Sequence, residues 1–156
     1  ANAAKTKVNG DMGRTIEELN DSGAIYFEKI TEGMQHDVNQ IVRMNEYQGV
    51  DKFTELWEAG GCKNVYVDFY YFTLPQEARE QIDSVLAYQE REYVHQMEHK
   101  EGQVLFQANE ILFSICSRLN AAEMLFCTIY VTGEYPSTWW GNYNGEYIVF
   151  TKKEHI

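Results

Sequence analysis

The chain has 156 residues and a mass of 18.2 kDa, a length typical of one domain with its own core. Hydrophobic residues make up 44% and charged residues 24%, a composition typical of globular proteins that argues against intrinsic disorder. The 13 Lys and Arg are outnumbered by 24 Asp and Glu, and the net charge of −11 argues against binding to nucleic acid or anionic membranes.

The N-terminal third predicts helices. Residues 1–14 are polar and predict a flexible segment, followed by a single domain over 15–156. Thr15 and Glu18 have the capping-box spacing and predict a short helix. A second helix is expected to follow Asp21 and Ser22 and to run to about residue 47, because apolar residues recur mostly at steps of three, four and one. These residues are Ile25, Ile30, Met34, Val38, Ile41 and Val42.

The middle of the chain predicts helices around one strand. Asp51 is expected to cap a short helix that ends at Gly60-Gly61, with Phe53, Leu56 and Trp57 facing inward. Residues 64–72 are rich in β-branched and aromatic side chains and predict a strand. After Pro75, residues 76–101 predict a helix, and the more apolar residues 104–119 predict a central one.

The C-terminal third predicts sheet. Residues 125–131 read as a strand, and residues 139–143 and 146–150 flank Asn144-Gly145, a strong signal for a β-hairpin. The predicted fold class is therefore α+β. It is a single domain with N-terminal helices, one strand, a helical pair and a C-terminal meander, in one antiparallel sheet covered by helices.

Three cysteines, Cys62, Cys116 and Cys127, have no paired spacing, which argues against a disulfide framework and favours a reducing, cytoplasmic location. No apolar run is long enough to predict a transmembrane helix. The first residues, Ala-Asn-Ala, read either as a cloning scar or as the remnant of a signal peptide, and the scar is the preferred interpretation.

One motif suggests a metal. His95, Glu98 and His99 fit the H-x-x-E-H pattern, in which two histidines on one helix face bind zinc and the glutamate acts as a base. Glu92 and His95 have the E-x-x-H spacing of di-iron proteins. Both patterns are incomplete, so no cofactor is the primary expectation. Zinc or iron is kept as an alternative, and a solvated acidic helix face explains the same residues.

Acidic and aromatic residues predict a protein-binding surface. Between Arg118 and Lys152 there is no Lys or Arg, and the same stretch is rich in Tyr and Trp, which are favoured anchors of interfaces. The two indoles of Trp139-Trp140 must point to opposite sides of a strand. The predicted anchors are Trp139, Trp140, Tyr143 and Tyr147, and the predicted charge partners are Glu90, Glu92, Glu134 and Glu146.

These features favour a non-enzymatic, acidic binding protein that neutralises a basic partner such as a nuclease toxin, in the manner of an immunity protein, an antitoxin or a phage inhibitor. Direct binding of nucleic acid or membrane is not expected. One alternative is a small metal-dependent hydrolase that uses His95, His99 and Glu98. Another is a homo-oligomeric subunit, for example a homodimer, that uses the aromatic hairpin as its interface.

Overall fold

The computed structural model describes residues 19, 21, 23–26 and 38–152. Within 38–152 the chain forms four α-helices and one six-stranded sheet, which confirms the α+β class. The predicted flexible segment 1–14 and the predicted helix start at Thr15 lie outside the described residues. The strands are β1 (Val38–Arg43), β2 (Val65–Asp68), β3 (Leu105–Gln107), β4 (Thr128–Val131), β5 (Ser137–Gly141) and β6 (Glu146–Thr151). The helices are α1 (Glu46–Ala59), α2 (Gln76–Asp83), α3 (Tyr88–Gln96) and α4 (Glu110–Ala122).

The sheet is antiparallel throughout, in the order β1-β6-β5-β4-β2-β3. Its three C-terminal strands form the expected meander, and the register of β4 and β5 places Ile129 opposite Trp139. Asn144 and Gly145 both have positive φ, at 64° and 70°, as the hairpin signal requires. The connection spans residues 142–145 and contains a 3₁₀ turn, so it is longer than a two-residue turn.

The main core lies between the sheet and the helices. Phe53 of α1 is fully buried, and its ring packs against Phe113, Trp139 and Tyr147 at centroid distances of 6.1, 5.6 and 5.5 Å. The helix α4 carries many of the buried residues, in agreement with the central helix that the sequence predicts. Cys116 and Cys127 lie in this core, as expected of small apolar side chains.

A close approach of two helices fixes this core. Gly49 of α1 lies against Ser117 of α4, and a Cβ atom built at Gly49 would be 2.8 Å from the Ser117 Oγ. A side chain at Gly49 would therefore require Ser117 or one of the two helices to shift, and glycine lets α1 and α4 approach this closely.

The opposite face of the sheet carries a second, smaller cluster. Tyr66, Leu105 and Tyr130 pack there with Leu19, which is fully buried. Residues 23–26 run over the same face, where the Thr138 hydroxyl donates a 2.6 Å hydrogen bond to the Ile25 carbonyl. We call Leu19 and residues 23–26 the strap.

The predicted helix that runs to residue 47 is wrong over 38–43, where the chain forms β1. In this strand Ile41 faces away from the helical layer and is 62% exposed, whereas Val42 packs against the main core. The spacing of apolar residues fitted a helix by coincidence. Asn45 then caps α1 six residues before Asp51, the predicted cap, and the helix ends before Gly60 as predicted.

Two further helix boundaries are corrected. The predicted helix over 76–101 begins correctly at Gln76 but divides into α2 and α3, because the Glu90 carboxylate reaches back to the Ala87 amide and starts a new helix. The predicted helix over 104–119 divides into β3 and α4. Asn109 caps α4 by accepting a 3.0 Å hydrogen bond from the Leu112 amide.

Asn120 joins α4 to the sheet. Its side chain accepts a 2.7 Å bond from the Cys127 amide and donates to the Cys127 carbonyl at 3.2 Å and to the Tyr147 hydroxyl at 3.1 Å. All three bonds are buried, and Asn120 is 3% exposed. A helix side chain therefore supplies two of the hydrogen bonds at the entry to β4.

Replacement of this amide is expected to be costly. Asn120→Ala should lower the free energy of unfolding by about 2–4 kcal/mol, because it leaves buried donors and acceptors without partners. Denaturant titration measures the change. The control is Ala121→Ser on the exposed side of α4, which should stay within about 0.5 kcal/mol of the wild type. A loss below about 1 kcal/mol for Asn120→Ala would contradict the assigned role.

Candidate protein-binding surface

Two of the four predicted aromatic anchors lie in the core. Trp139 is 7% exposed, and its Nε1 donates a 2.9 Å hydrogen bond to the Ser137 Oγ. Tyr147 is 3% exposed, and its hydroxyl accepts from Asn120. Both rings are held between the sheet and α1, where little of their surface is open to a partner.

Trp140 points to the other side of β5, which confirms the expected divergence of the two indoles. Its ring is partly buried and packs edge-on against Phe150, with centroids 6.1 Å apart. This face of β5 is opposite the helical layer. Trp140 and the helices therefore lie on opposite faces of the sheet.

The predicted carboxylates are dispersed. Glu90 is 5% exposed and bonds to Arg118 (2.9 Å) and to Ser114, so it is corrected from a free surface charge to a buried ion pair. Glu92 is half-buried on α3, and Glu134 is exposed beyond β4. Glu146 is paired with Arg43 at 2.7 Å. Since β5 spans five residues, or about 16 Å, Glu134 lies too far along the sheet to act together with Glu146.

The environment of Glu90 lowers its pKa. Burial alone raises the pKa of this carboxyl, but hydrogen bonds from Arg118, Ser114 and the Ala87 amide favour the ionised form and outweigh the burial. Arg118 also bonds to Glu46 at 3.2 Å. One guanidinium thus connects the first turns of α1 and α3 to the middle of α4.

Glu90→Gln should lower the free energy of unfolding by about 2–4 kcal/mol at pH 7, because it removes the charge of a buried pair. A lowered pKa stabilises the fold above the ordinary glutamate range and loses that contribution as pH falls through the folded-state pKa. The difference between variant and wild type should therefore shrink below about pH 4 in denaturant titrations. Glu77→Gln, at an exposed position of α2, is the control, and an equal loss at pH 3 and pH 7 would contradict the assignment.

The histidines of the metal motif are separated by the end of a helix. α3 ends at Gln96, so the shared helix face that the H-x-x-E-H pattern requires is absent. The His95 Nε2 lies 2.8 Å from the Asp83 carboxylate, whereas His99 stacks on Phe72 with centroids 3.8 Å apart. No group of three or more His, Cys, Asp or Glu side chains suited to a metal occurs among the residues that the structure describes.

A different set of residues converges at the β5–β6 turn. Tyr143 is 59% exposed, and its ring packs edge-on against Phe126 with centroids 4.9 Å apart. The exposed Glu123 accepts a 2.8 Å hydrogen bond from the Asn144 amide, which fixes the turn to the end of α4. We call this region the hairpin surface, and it comprises Tyr47, Glu123, Phe126, Tyr143 and Glu146.

A cleft of about 280 Å³ adjoins the hairpin surface. One wall is the β1–α1 junction and the other is the β5–β6 turn, which are joined by a 2.9 Å bond from the Met44 amide to the Gly145 carbonyl. Tyr47 lies in the first turn of α1 and is 71% exposed. The cleft is lined by Arg43, Met44, Asn45, Gln48, Asn144 and Gly145.

The charges of this region are unevenly balanced. Glu146 is paired with Arg43, whereas Glu46 shares the single charge of Arg118 with Glu90. Glu123 is bonded to a backbone amide, which leaves its negative charge in place. Residues 119–151 contain no Lys or Arg, so the exposed Tyr143 ring and the half-buried Phe126 ring belong to a stretch whose charged side chains are all acidic.

The sequence predicts Tyr143 and Glu146 as partner-binding residues, whereas Tyr47, Glu123 and Phe126 are not among the residues predicted for that role. The spacing of Phe126 and Tyr143 in the chain gives no sign that their rings meet. Glu123 ends α4 in the left-handed conformation, with φ 57°, and this reversal is what brings its carboxylate to the turn. A non-glycine residue at such a position has no clear signature in one sequence.

Comparisons with protein-family models, with characterised proteins and with solved structures found no match to this chain. Among the helices of the described residues, none has the length and apolar character needed to cross a membrane.

Proposed function

We propose that this protein binds a basic protein partner through the hairpin surface and neutralises that partner by covering it. A nuclease toxin is the class of partner that fits a net charge of −11 best, because nucleases carry positive surfaces for phosphate. The single observation that carries the proposal is the contact of the exposed Tyr143 ring with the half-buried Phe126 ring, beside the Glu123 carboxylate, which forms no salt bridge among the described residues.

The chemistry of the two groups is complementary. A tyrosine ring that rests on a second aromatic ring offers a large, pre-positioned contact, and such residues are frequent hot spots of interfaces. A carboxylate beside it attracts Lys or Arg and accelerates the encounter with a positive surface. Binding through this pair is therefore expected to be fast and to weaken with added salt.

The two alternatives receive less support. The hydrolase alternative depended on a histidine pair sharing one helix face, and the end of α3 separates the two residues. The homo-oligomer alternative depended on the aromatic hairpin as a self-interface, but two of its four rings are buried within the same chain. A second copy would also bring a second net negative charge to the surface.

A capture experiment tests the proposal. The tagged protein is exposed at low salt to an extract of its natural host, and retained proteins are eluted with a salt gradient and identified. The proposal expects one basic protein whose activity falls on mixing with the purified chain. A capture that is equal for the wild type and for Tyr143→Ala would contradict the role of the hairpin surface.

Two substitutions on the hairpin surface are expected to have different effects, one on the affinity for the partner and the other on the rate of association. With the captured protein, Tyr143→Ala should weaken the affinity at least tenfold, because an anchor ring is lost. Glu123→Gln should mainly slow association and reduce its dependence on salt. Stopped-flow kinetics at two salt concentrations measures both effects.

The matched control is Tyr135→Ala. Tyr135 is 66% exposed, comparable to Tyr143, but lies at the other end of β5 in the β4–β5 connection. Its removal should change the affinity less than twofold. If Tyr135→Ala weakens binding as much as Tyr143→Ala does, the interface is not at the β5–β6 turn. Light scattering of the free protein tests the homo-oligomer alternative separately.

A further inference from the structure

The strap closes one part of the sheet face that the helices leave open. Leu19 is fully buried there, and the Tyr26 ring lies 6.1 Å from the Tyr130 ring, measured between centroids. The Ile25 carbonyl accepts the Thr138 hydroxyl at 2.6 Å. The contacts that hold the strap thus include the buried side chains of Leu19 and Ile25, the Tyr26 ring contact and this buried hydrogen bond.

Asp68 lies on this same face, at the end of β2. It is two residues after Tyr66 and opposite Leu105, and both of these residues belong to the cluster under the strap. Its carboxylate oxygen accepts a 2.7 Å bond from the Thr128 amide. None of the salt bridges formed among the described residues involves Asp68.

Burial raises the pKa of Asp68 to about 7, against the favourable effect of the bonds from Thr128. Among the described residues, the tyrosines that interact with the charge of Asp68 are Tyr70 beyond β2 and Tyr130 from β4, and both of them also interact with Tyr26 of the strap. The charge of Asp68 also helps to raise the pKa of the buried Cys127 thiol. These groups are neutral or become negative with rising pH, so none of them compensates a carboxylate.

We propose that Asp68 is a proton-controlled latch, in which the neutral carboxyl holds the strap closed over the sheet and loss of the proton favours release of the strap. A neutral carboxyl can remain among tyrosine rings at little cost, whereas a carboxylate needs water or a cation. Asp68 is half-buried in the closed state, and release of the strap admits more water to it. Release also exposes Tyr66 and Tyr130, which are buried in the closed state. This proposal is independent of the hairpin surface.

The direction of the pH effect follows from proton linkage. The closed form keeps its proton up to about pH 7, whereas an open form with an ordinary aspartate loses it near pH 4. Between these values the open form binds fewer protons, so the equilibrium constant for opening rises by up to about tenfold per pH unit. Above about pH 7 both forms are ionised, and the opening constant becomes independent of pH.

Amide hydrogen exchange tests the latch. The Ala24 amide donates a 3.3 Å hydrogen bond to the Leu19 carbonyl, so it reports on the closed strap. Its protection factor, corrected for the intrinsic pH dependence of exchange, is measured by NMR between pH 5 and pH 8. In the wild type it should fall severalfold or more per pH unit up to about pH 7 and then level off.

Asp68→Asn is the decisive variant, because the amide is neutral at every pH and retains an oxygen to accept the Thr128 bond. Its protection factor should be independent of pH, while Glu77→Gln, an exposed carboxyl on α2, should follow the wild type. A wild-type protection factor that is constant from pH 5 to pH 7, or an equal slope in Asp68→Asn, would overturn the proposal.

A second measurement uses the wild type alone, in case Asp68→Asn does not fold. The ¹³C shift of the Asp68 carboxyl is followed from pH 3 to pH 8 together with the ring signals of Tyr26. The latch predicts one shared midpoint near pH 7. A carboxyl midpoint near pH 4, or Tyr26 signals that do not respond at the carboxyl midpoint, would overturn it.

Discussion

The structure depends on the packing of α4 against the sheet. This helix lies next to α1, and its side chains fill the main core together with those of β4, β5 and β6. Apolar burial supplies most of the driving force, but it has no direction and cannot by itself fix the position of α4 along the sheet. Asn120 supplies the direction, because its amide can satisfy the backbone of Cys127 and the Tyr147 hydroxyl in only one position.

The ion cluster at Arg118 extends this order to the helical layer. A guanidinium in the middle of α4 binds Glu46 at the start of α1 and Glu90 at the start of α3. The first turns of these helices have free backbone amides, and acidic residues there are favoured. One cation therefore positions two helices whose sequences give no indication that they meet.

The part of the fold that could be predicted is the part with local signals. The hairpin was predictable from Asn144-Gly145, because Asn and Gly adopt positive φ readily. This preference is local and does not depend on the rest of the fold. The sequence does not predict β1, because Ile41 and Val42 have neighbours that also fit a helical spacing. Only the pairing with β6 distinguishes a strand from a helix here. β3 was missed because a three-residue strand between helices is too short for any period.

The candidate site was less accessible from sequence, because its residues meet only after folding. The sequence shows a stretch without positive charge, but it does not show which of its rings are exposed to water. In the structure Trp139 and Tyr147 are buried in the core. The turn that carries Tyr143 is bonded to both sides, through Glu123 of the α4 terminus and through Met44 before α1. An incoming molecule would therefore meet a surface already rigid, and little conformational entropy would be lost on association.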